Sequence, residues 1–337
     1  MLYQSIPNVD KPVSRLVFGT ATPKLFAAFR SVYGDAPDFE ERRQAAFSLL
    51  DDMYAEGVNC FDCADHYGEE PLGEWMEARG LRDRVVILTK GAHHNRWRRR
   101  VTDFDILHDA HDSLAKMKTD HLDIYMLHRD DPSVPVAPLV DTLNRLHDEG
   151  KIRAFGVSNW TIERFEEACE YAVRHRLQPF TVTSPNYSLA RQVRDPWGGG
   201  CVSLSGPEHA KDRSWYESHG IAVFAYSVMA RGFFSGRLDP DQPRRAPELL
   251  DEAGVKGYCS PDNFERLRRC GRLAEVKGLT VPRIAMAWLF SQPMQNVFAL
   301  TSPTRRANMH ESVLALETRL TDEECRWLDL ESDVRPW

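Results

Sequence analysis

The feature that most constrains this chain is a rhythm of eight short β-rich runs, each followed by a helical or loop segment. The runs are Arg15–Phe18, Asn59–Phe61, Val85–Thr89, Leu122–Leu127, Ile152–Val157, Thr181–Ser184, Ala222–Ala225 and Asn296–Leu300. Amphipathic stretches lie between them, among them Glu40–Glu56, Asp103–Lys118, Ala137–Glu149, Ile162–Arg174, Pro261–Lys277 and Arg305–Ala315. Strands that alternate with helices return parallel, and eight such units suit a closed (β/α)8 TIM barrel better than an open sheet. The expected fold is therefore α/β. A chain of 337 residues, 42% of them hydrophobic, suits one large domain or at most two, and a single barrel domain spanning 1–337 is expected. The excess length leaves room for long loops and for an extra C-terminal helix near Thr321–Leu330. At the start, Leu2–Lys11 carries turn chemistry at Pro7-Asn8-Val9-Asp10 and is expected to form a β-hairpin closing the bottom of the barrel. Asp103 is placed to cap the third helix, Thr161 or Asn159 the fifth, and Gly150 to terminate the fourth.

Four polar residues stand at or just past the ends of three successive runs: Asp62, Tyr67, Lys90 and His128. If these strands are parallel neighbours, the four side chains gather on one rim, where barrel enzymes carry their chemistry. A phenol is a poor acid near neutrality, with an ordinary pKa of about 10. A neighbouring ammonium favours the phenolate, so Lys90 is expected to lower the pKa of Tyr67. Asp62 would hold Lys90 charged, and His128 would bond the same substrate oxygen or relay the proton. Such a set delivers a proton to an alkoxide forming at a carbonyl. None of the four donates hydride, which implies a nicotinamide cofactor. Singly, each would read as a cap, a solvated terminus or a packed ring; their joint placement favours function. Three loops, Thr20–Phe39, Tyr187–Pro207 and Arg231–Ser260, look long and structureless and should lie on the same rim.

Bulk properties exclude other classes. The formal net charge of -7 argues against a nucleic-acid partner. The leading MLYQSIPNVDKP has no apolar run of a secretory leader, and no stretch reaches the roughly 18 apolar residues of a membrane span. The expectation is a soluble, cytoplasmic protein with no membrane partner. Seven irregularly spaced cysteines suit reduced thiols, and Cys60-x-x-Cys63 is read as packing. No metal site is expected: the adjacent His93 and His94 point different ways and lack a ligand partner at metal spacing. The basic run Arg96-Trp97-Arg98-Arg99-Arg100 is read as a solvated loop, with an anionic ligand or partner as the alternative.

Larger motifs now become legible. Phe61-Asp62-Cys63-Ala64-Asp65-His66-Tyr67-Gly68 resembles the D-x-A-x-x-Y-G signature of the aldo-keto reductase superfamily. Leu88-Thr89-Lys90 and Asp123-Ile124-Tyr125-Met126-Leu127-His128 resemble its lysine and histidine strands. Gly156-Val157-Ser158-Asn159 is similar to its G-x-S-N turn, and Ala225-Tyr226-Ser227-Val228-Met229-Ala230-Arg231-Gly232 to its Y/W-S-P-L-A-x-G segment. The resemblance runs from Val13 to about Leu330. It implies a (β/α)8 barrel and NADP(H)-dependent carbonyl reduction or alcohol oxidation, with NAD(H) the alternative dinucleotide. It makes Asp62, Tyr67, Lys90 and His128 a catalytic tetrad with Tyr67 the general acid/base. It further implies that Ser158 and Asn159 hold the nicotinamide carboxamide, helped by Ser184, while Tyr226 stacks on the ring and Gly19 and Thr20 border it. Ser227, Met229, Arg231 and Gly232 would line the pyrophosphate, with Arg237 in reach of phosphate oxygens. Ser302, Thr304, Arg305 and Asn308 would meet the 2′-phosphate, and Glu311 and Ser312 the adenine. The chain departs from the family at Ser184 (commonly Gln), Val228 (Pro), Ser302 (Gly) and Ser312 (Asn), changes that bear on the cofactor and not on the tetrad.

The substrate is expected to be a small carbonyl compound or sugar. The chain stops at Trp337 soon after the last helical pattern, so the three long loops are expected to build the pocket, with Phe26, His93, Trp97, Arg129 and Trp197 as candidate walls and Gly198-Gly199-Gly200 as a hinge. The oligomeric state is not legible. A rival reading is a nucleotide-sensing regulatory subunit resembling potassium-channel β subunits, which share this fold and tetrad.

Overall fold

Short apolar runs flanked by turn residues become strands because each buries side chains on both faces of a parallel sheet. In the computed structural model, which describes residues 1–337, two short strands come first: β1 (Tyr3–Gln4) and β2 (Val13–Ser14), paired antiparallel. This is the expected hairpin, anchored just ahead of the strand that begins at Cys60 by Tyr3 donating to the Gly57 carbonyl at 2.8 Å and Ser14 N–H to Asn59 Oδ1 at 2.8 Å. Eight parallel strands follow: β3 (Leu16–Gly19), β4 (Cys60–Asp62), β5 (Val86–Gly91), β6 (Leu122–Leu127), β7 (Ile152–Ser158), β8 (Val182–Ser184), β9 (Ala222–Ala225) and β10 (Val297–Thr301). They form a closed barrel in the order β10-β3-β4-β5-β6-β7-β8-β9.

Several strands run one or two residues further at their C-terminal ends than the apolar runs suggest. The ladder continues through polar residues: Gly19 pairs with Asp62, Lys90 with Met126, and Ser158 with Ser184. Backbone groups pair whatever side chain they carry, so polarity did not mark the true strand ends.

The chain divides into two compact units. The first comprises Met1–Ser184 with Ser302–Arg306. Its core includes Phe18 edge-on to Phe61 at 6.1 Å and Phe61 against the fully buried Trp75 at 5.3 Å. The second comprises Pro185–Thr301 with Ala307–Trp337. In it Phe224 of β9 stacks on Phe298 of β10 at 4.8 Å, and Tyr187 meets Trp288 edge-on at 5.6 Å. The buried Asn263 of helix Pro261–Lys277 donates to the carbonyls of Arg191 and Tyr258 at 2.8 and 2.9 Å, fastening a long loop segment to this unit. The extra C-terminal helix is present at Asp322–Leu328, capped by a Thr321–Glu324 capping box.

Local chemistry corrects two expectations and decides between the alternatives of a third. Thr102, not Asp103, caps helix Asp103–Lys116: its extended backbone turns Oγ1 onto the Asp105 N–H at 3.2 Å. Thr161 caps helix Ile162–His175, while Asn159 takes a left-handed backbone with φ 60°. Two of the long loops are not structureless. Thr20–Phe39 holds short helices at Pro23–Phe26 and Arg30–Tyr33, and Arg231–Ser260 holds others at Ala246–Leu249 and Glu252–Tyr258. Thr22 before Pro23, and Asp251 accepting from Gly254 N–H at 2.7 Å, supply the caps that make such short helices form. No helix is long and apolar enough to cross a membrane.

Candidate active site

The parallel register carries the ends of β3 through β8 to one rim. Along it, Thr20 N–H bonds the Asp62 carbonyl at 2.9 Å, Cys63 N–H the Leu88 carbonyl at 2.8 Å, and His128 N–H the Gly91 carbonyl at 2.8 Å. Lys90 and Asp62 are buried there, 3% and 4% exposed, and their side chains form an ion pair through Nζ and Oδ1. The Lys90 ammonium also donates to the Tyr67 hydroxyl at 3.1 Å and the Cys63 carbonyl at 3.2 Å. All three of its protons are thereby used.

Tyr67 reaches the ion pair because the loop between β4 and the next helix folds back on itself. Ala64 and Tyr67 exchange backbone hydrogen bonds at 3.1 and 2.9 Å, and Asp65 N–H bonds the Lys90 carbonyl at 2.9 Å. Gly68 then turns the chain with φ 79° into helix Glu69–Arg79. Only glycine fits at this position: a Cβ would lie 1.8 Å from Thr20 Oγ1.

The electrostatics differ from the expectation in one respect. The Tyr67 phenol is pushed well above its ordinary range, first by burial and then by the Asp62 carboxylate, instead of being lowered by Lys90. The Lys90 charge is already neutralised by Asp62, so it does not offset the loss of water around the phenolate. Burial also raises Asp62, against the pull of Lys90. Burial, then Lys90, drives His128 well below its ordinary value. The rim thus presents a neutral phenol and a neutral imidazole beside a buried ion pair, a set able to donate a proton without first taking one up.

Two groups escaped the sequence reading. His66 was an unassigned position inside the tyrosine motif; its ring lies edge-on to Tyr67 at 5.0 Å, 4.4 Å from that of His93 and stacked on His128 at 5.4 Å. His93, expected to lack a partner at metal spacing, is therefore one of three clustered imidazoles. Glu69, at a helix start, resembles a solvated first-turn acid. In fact it is 2% exposed beneath the tyrosine loop, accepting from Thr89 and Ser113 hydroxyls at 2.6 Å each. Burial raises its carboxyl to about 7.

A protonated Glu69 couples stability to pH. Its folded value lies above the ordinary 4.5, so its stabilising contribution is complete below that pH and is lost as pH rises through about 7. The shift corresponds to at most about 3 kcal/mol. Glu69→Gln should therefore gain stability relative to wild type as the pH is raised from 5 to 8, read as the difference between the two thermal midpoints. A difference that stays constant over this range would rule the coupling out.

Among the candidate substrate walls, His93 stands edge-on to His128 at 4.8 Å, and Arg129 directly follows His128 in the chain. Phe26 packs on Phe29 at 5.7 Å, and Trp97, 75% exposed, lies under the Arg96 guanidinium at 4.2 Å; neither ring is stacked on Tyr67 or His128. In the second unit Trp197 meets Tyr226 at 6.0 Å and the Arg231 guanidinium at 5.5 Å. The basic run is an exposed loop whose arginines pair with carboxylates outside it: Arg98 with Asp105 at 2.6 Å, Arg99 with Asp131 at 2.9 Å, and Arg100 with Asp109 and Asp65. Cys60 and Cys63 are buried free thiols, their ionisation pushed well up by burial.

The candidate cofactor residues also find local structure. Gly19 sits in register with Asp62, and the Thr20 hydroxyl donates to the Asp62 carbonyl at 2.7 Å. Ser158 Oγ donates to the Ser184 carbonyl at 2.8 Å, and Asn159 Nδ2 donates to Ser158 Oγ at 3.0 Å. In the second unit, Ser227, Ala230, Arg231 and Gly232 all have positive φ, between 46° and 90°, around Met229. Successive N–H groups in such a turn can converge on an anion. Arg231 is tied to Asp251, and Arg237 Nε donates to Ser235 Oγ at 3.2 Å. Ser302, Thr304, Arg305 and Asn308 are exposed. Glu311, expected to meet adenine, holds Thr280 at 2.8 Å and Arg283 at 3.0 Å, and Ser312 bonds back to the Asn308 carbonyl at 3.2 Å.

An eight-stranded parallel barrel thus brings Asp62, Lys90, Tyr67 and His128 together on one rim. The chain belongs to the Aldo/keto reductase family, whose profile matches residues 16–330. It is similar to "Aldo-keto reductase YhdN" of Bacillus subtilis (strain 168), 27% identical over 307 residues, covering 87% of this chain and 82% of that protein. It is also similar to "Probable aryl-alcohol dehydrogenase AAD4" of Saccharomyces cerevisiae (strain ATCC 204508 / S288c), 26% identical over 305 residues, 85% of this chain and 87% of the relative. Among solved structures, the glycerol dehydrogenase AKR11B4 from Gluconobacter oxydans shares the fold with a TM-score of 0.72, at 20% identity, over 99% of this chain and 97% of that one. The protein is thus an oxidoreductase of a family that uses a nicotinamide cofactor and acts on small carbonyl compounds.

Proposed function

We propose that the protein reduces an aldehyde, ketone or sugar carbonyl to the alcohol, or runs the reverse reaction, with NADP(H), and that Tyr67 is its general acid/base. The observation that carries this reading is the Lys90 ammonium shared between the Asp62 carboxylate and the Tyr67 hydroxyl, 3.1 Å away. A neutral phenol in that position donates its proton to oxygen as negative charge develops there. The ammonium lowers the cost of the phenolate left behind, and Asp62 keeps the ammonium in place. His128, held neutral, hydrogen-bonds the substrate oxygen and aims it at the phenol.

Each unit carries donors of the kind a dinucleotide uses. Ser158 and Asn159 offer a hydroxyl and a carboxamide beside β8, as a nicotinamide carboxamide requires. The positive-φ turn at Ser227–Gly232, with Arg231 and Arg237, suits a pyrophosphate, and the exposed Arg305 suits a 2′-phosphate, which favours NADP(H) over NAD(H). Tyr226 would hold the nicotinamide ring. When bound, the cofactor supplies or accepts the hydride equivalent.

Likeness to a probable aryl-alcohol dehydrogenase, together with imidazole rings around the phenol, favours small aromatic aldehydes as substrates. Seven free thiols suit work in the reducing cytoplasm. The test is oxidation of NADPH, and separately NADH, by purified protein with aryl aldehydes, aldoses and ketoses. Turnover with at least one aryl aldehyde, faster with NADPH, is expected. Tight NADPH binding with no turnover on any carbonyl would favour a nucleotide-sensing role and end this reading.

A further inference from the structure

Three imidazoles carried by three different rim loops meet over the phenol. His66 comes from the tyrosine loop, His93 from just past β5 and His128 from just past β6. One ring nitrogen from each lies within 4.8 Å of the other two. Histidine is the commonest metal ligand, and three imidazoles with a fourth position open to solvent or substrate is a familiar zinc arrangement.

The surroundings of the rings point the same way. His66 Nδ1 lies 2.6 Å from the Asp65 carboxylate, and His93 Nδ1 lies 2.8 Å from the His94 carbonyl. An acceptor on one ring nitrogen fixes the tautomer and leaves a lone pair on the other, the second-shell pattern of metal-bound histidines. Asp65 is itself held by its N–H to the Lys90 carbonyl at 2.9 Å and by Arg100 at 3.5 Å. His128 Nδ1 is buried with no protein partner.

We propose that His66, His93 and His128 form a site for one divalent transition-metal ion, zinc first, whose reversible binding shuts the carbonyl site. At zinc–nitrogen distances of about 2.0–2.1 Å, tetrahedral nitrogens stand roughly 3.4 Å apart. The rings must therefore close by about 1–1.5 Å, and His66, exposed on its loop, has the room to move. Lys90 and Arg129 bear on the same rings while Asp65 opposes them, so the ion is held less firmly than in an all-buried structural site and exchanges with solution. Inhibition rests on the proposed role of His128 and Tyr67; metal binding itself does not.

The test uses chelator-treated full-length protein and Co2+ as the probe, read by the visible absorption of a four-coordinate ion, with Zn2+ displacing it. Reductase activity is followed in parallel with and without Zn2+. His66→Ala should bind Co2+ about 10–100-fold more weakly and, measured against its own metal-free rate, resist Zn2+ by the same factor. If wild type shows no Co2+ spectrum, or the variant binds and is inhibited as wild type is, the site does not exist and any inhibition comes from elsewhere, such as the thiols. A Co2+ spectrum lost in His66→Ala, in a protein that reduces no carbonyl, would uphold the metal site and sink only the proposed reaction.

Discussion

Tyr67→Phe should lower kcat for carbonyl reduction by about 100- to 10,000-fold, the range for loss of a general acid. The substitution removes a single oxygen. That oxygen accepts from Lys90 at 3.1 Å and lies 3.4 Å from Asp62 Oδ2, so the ring can stay in place with the ion pair beneath it intact. NADPH binding should accordingly change little, since none of the proposed dinucleotide contacts uses the phenol. The measurements are steady-state kinetics with an aryl aldehyde and a fluorescence titration with NADPH. A variant that turns over as fast as wild type would remove Tyr67 from the mechanism. A variant that no longer binds NADPH would show that the ring positions the cofactor and is not simply the acid.

Lys90→Met should damage both activity and stability. Lys90 is the only cation bonded to the buried Asp62 carboxylate, and removing one partner of a buried pair costs about 3–5 kcal/mol because the other charge is left without compensation. Asp62 is already raised by burial, so without Lys90 it takes up a proton more readily, which limits the loss toward acid pH. Adding Asp62→Asn should restore much of the stability, since two neutral groups replace one stranded charge. Activity should stay low in the double variant, because nothing remains to stabilise the phenolate of Tyr67. Urea midpoints and kcat for the two single variants and the double variant separate these effects. If Asp62→Asn fails to recover stability, the loss comes from packing around the lysine stem and not from charge.

The gathering of Asp62, Tyr67, Lys90 and His128 on one rim was legible in the sequence because it depends on local rules. An apolar run marks a strand, and the first polar residue past it falls on the C-terminal rim; Asp62, Lys90 and His128 all obey this. Tyr67 followed from its motif. The charge state of Tyr67 was not legible, since it turns on how thoroughly the site excludes water and on Lys90 being committed to Asp62. Glu69 has the sequence context of an exposed helix start, and only packing against Thr89 and Ser113 buries it. The basic run is the exposed loop its composition suggests; what the run itself did not show is that Arg98, Arg99 and Arg100 pair with Asp105, Asp109, Asp131 and Asp65, which lie outside it.

By itself, then, the sequence determined the alternation of strands and helices, the parallel pairing that this alternation favours, and the residue types at the strand ends. Those follow from periodicity and from where a strand stops, which neighbouring residues decide. The tertiary structure alone decided which polar groups lose their water and which rings share a space. The meeting of His66, His93 and His128 depends on a loop folding back onto the Lys90 carbonyl and on the register of β5 with β6. Burial and through-space distance are properties of the assembled rim, and no spacing along the chain encodes them.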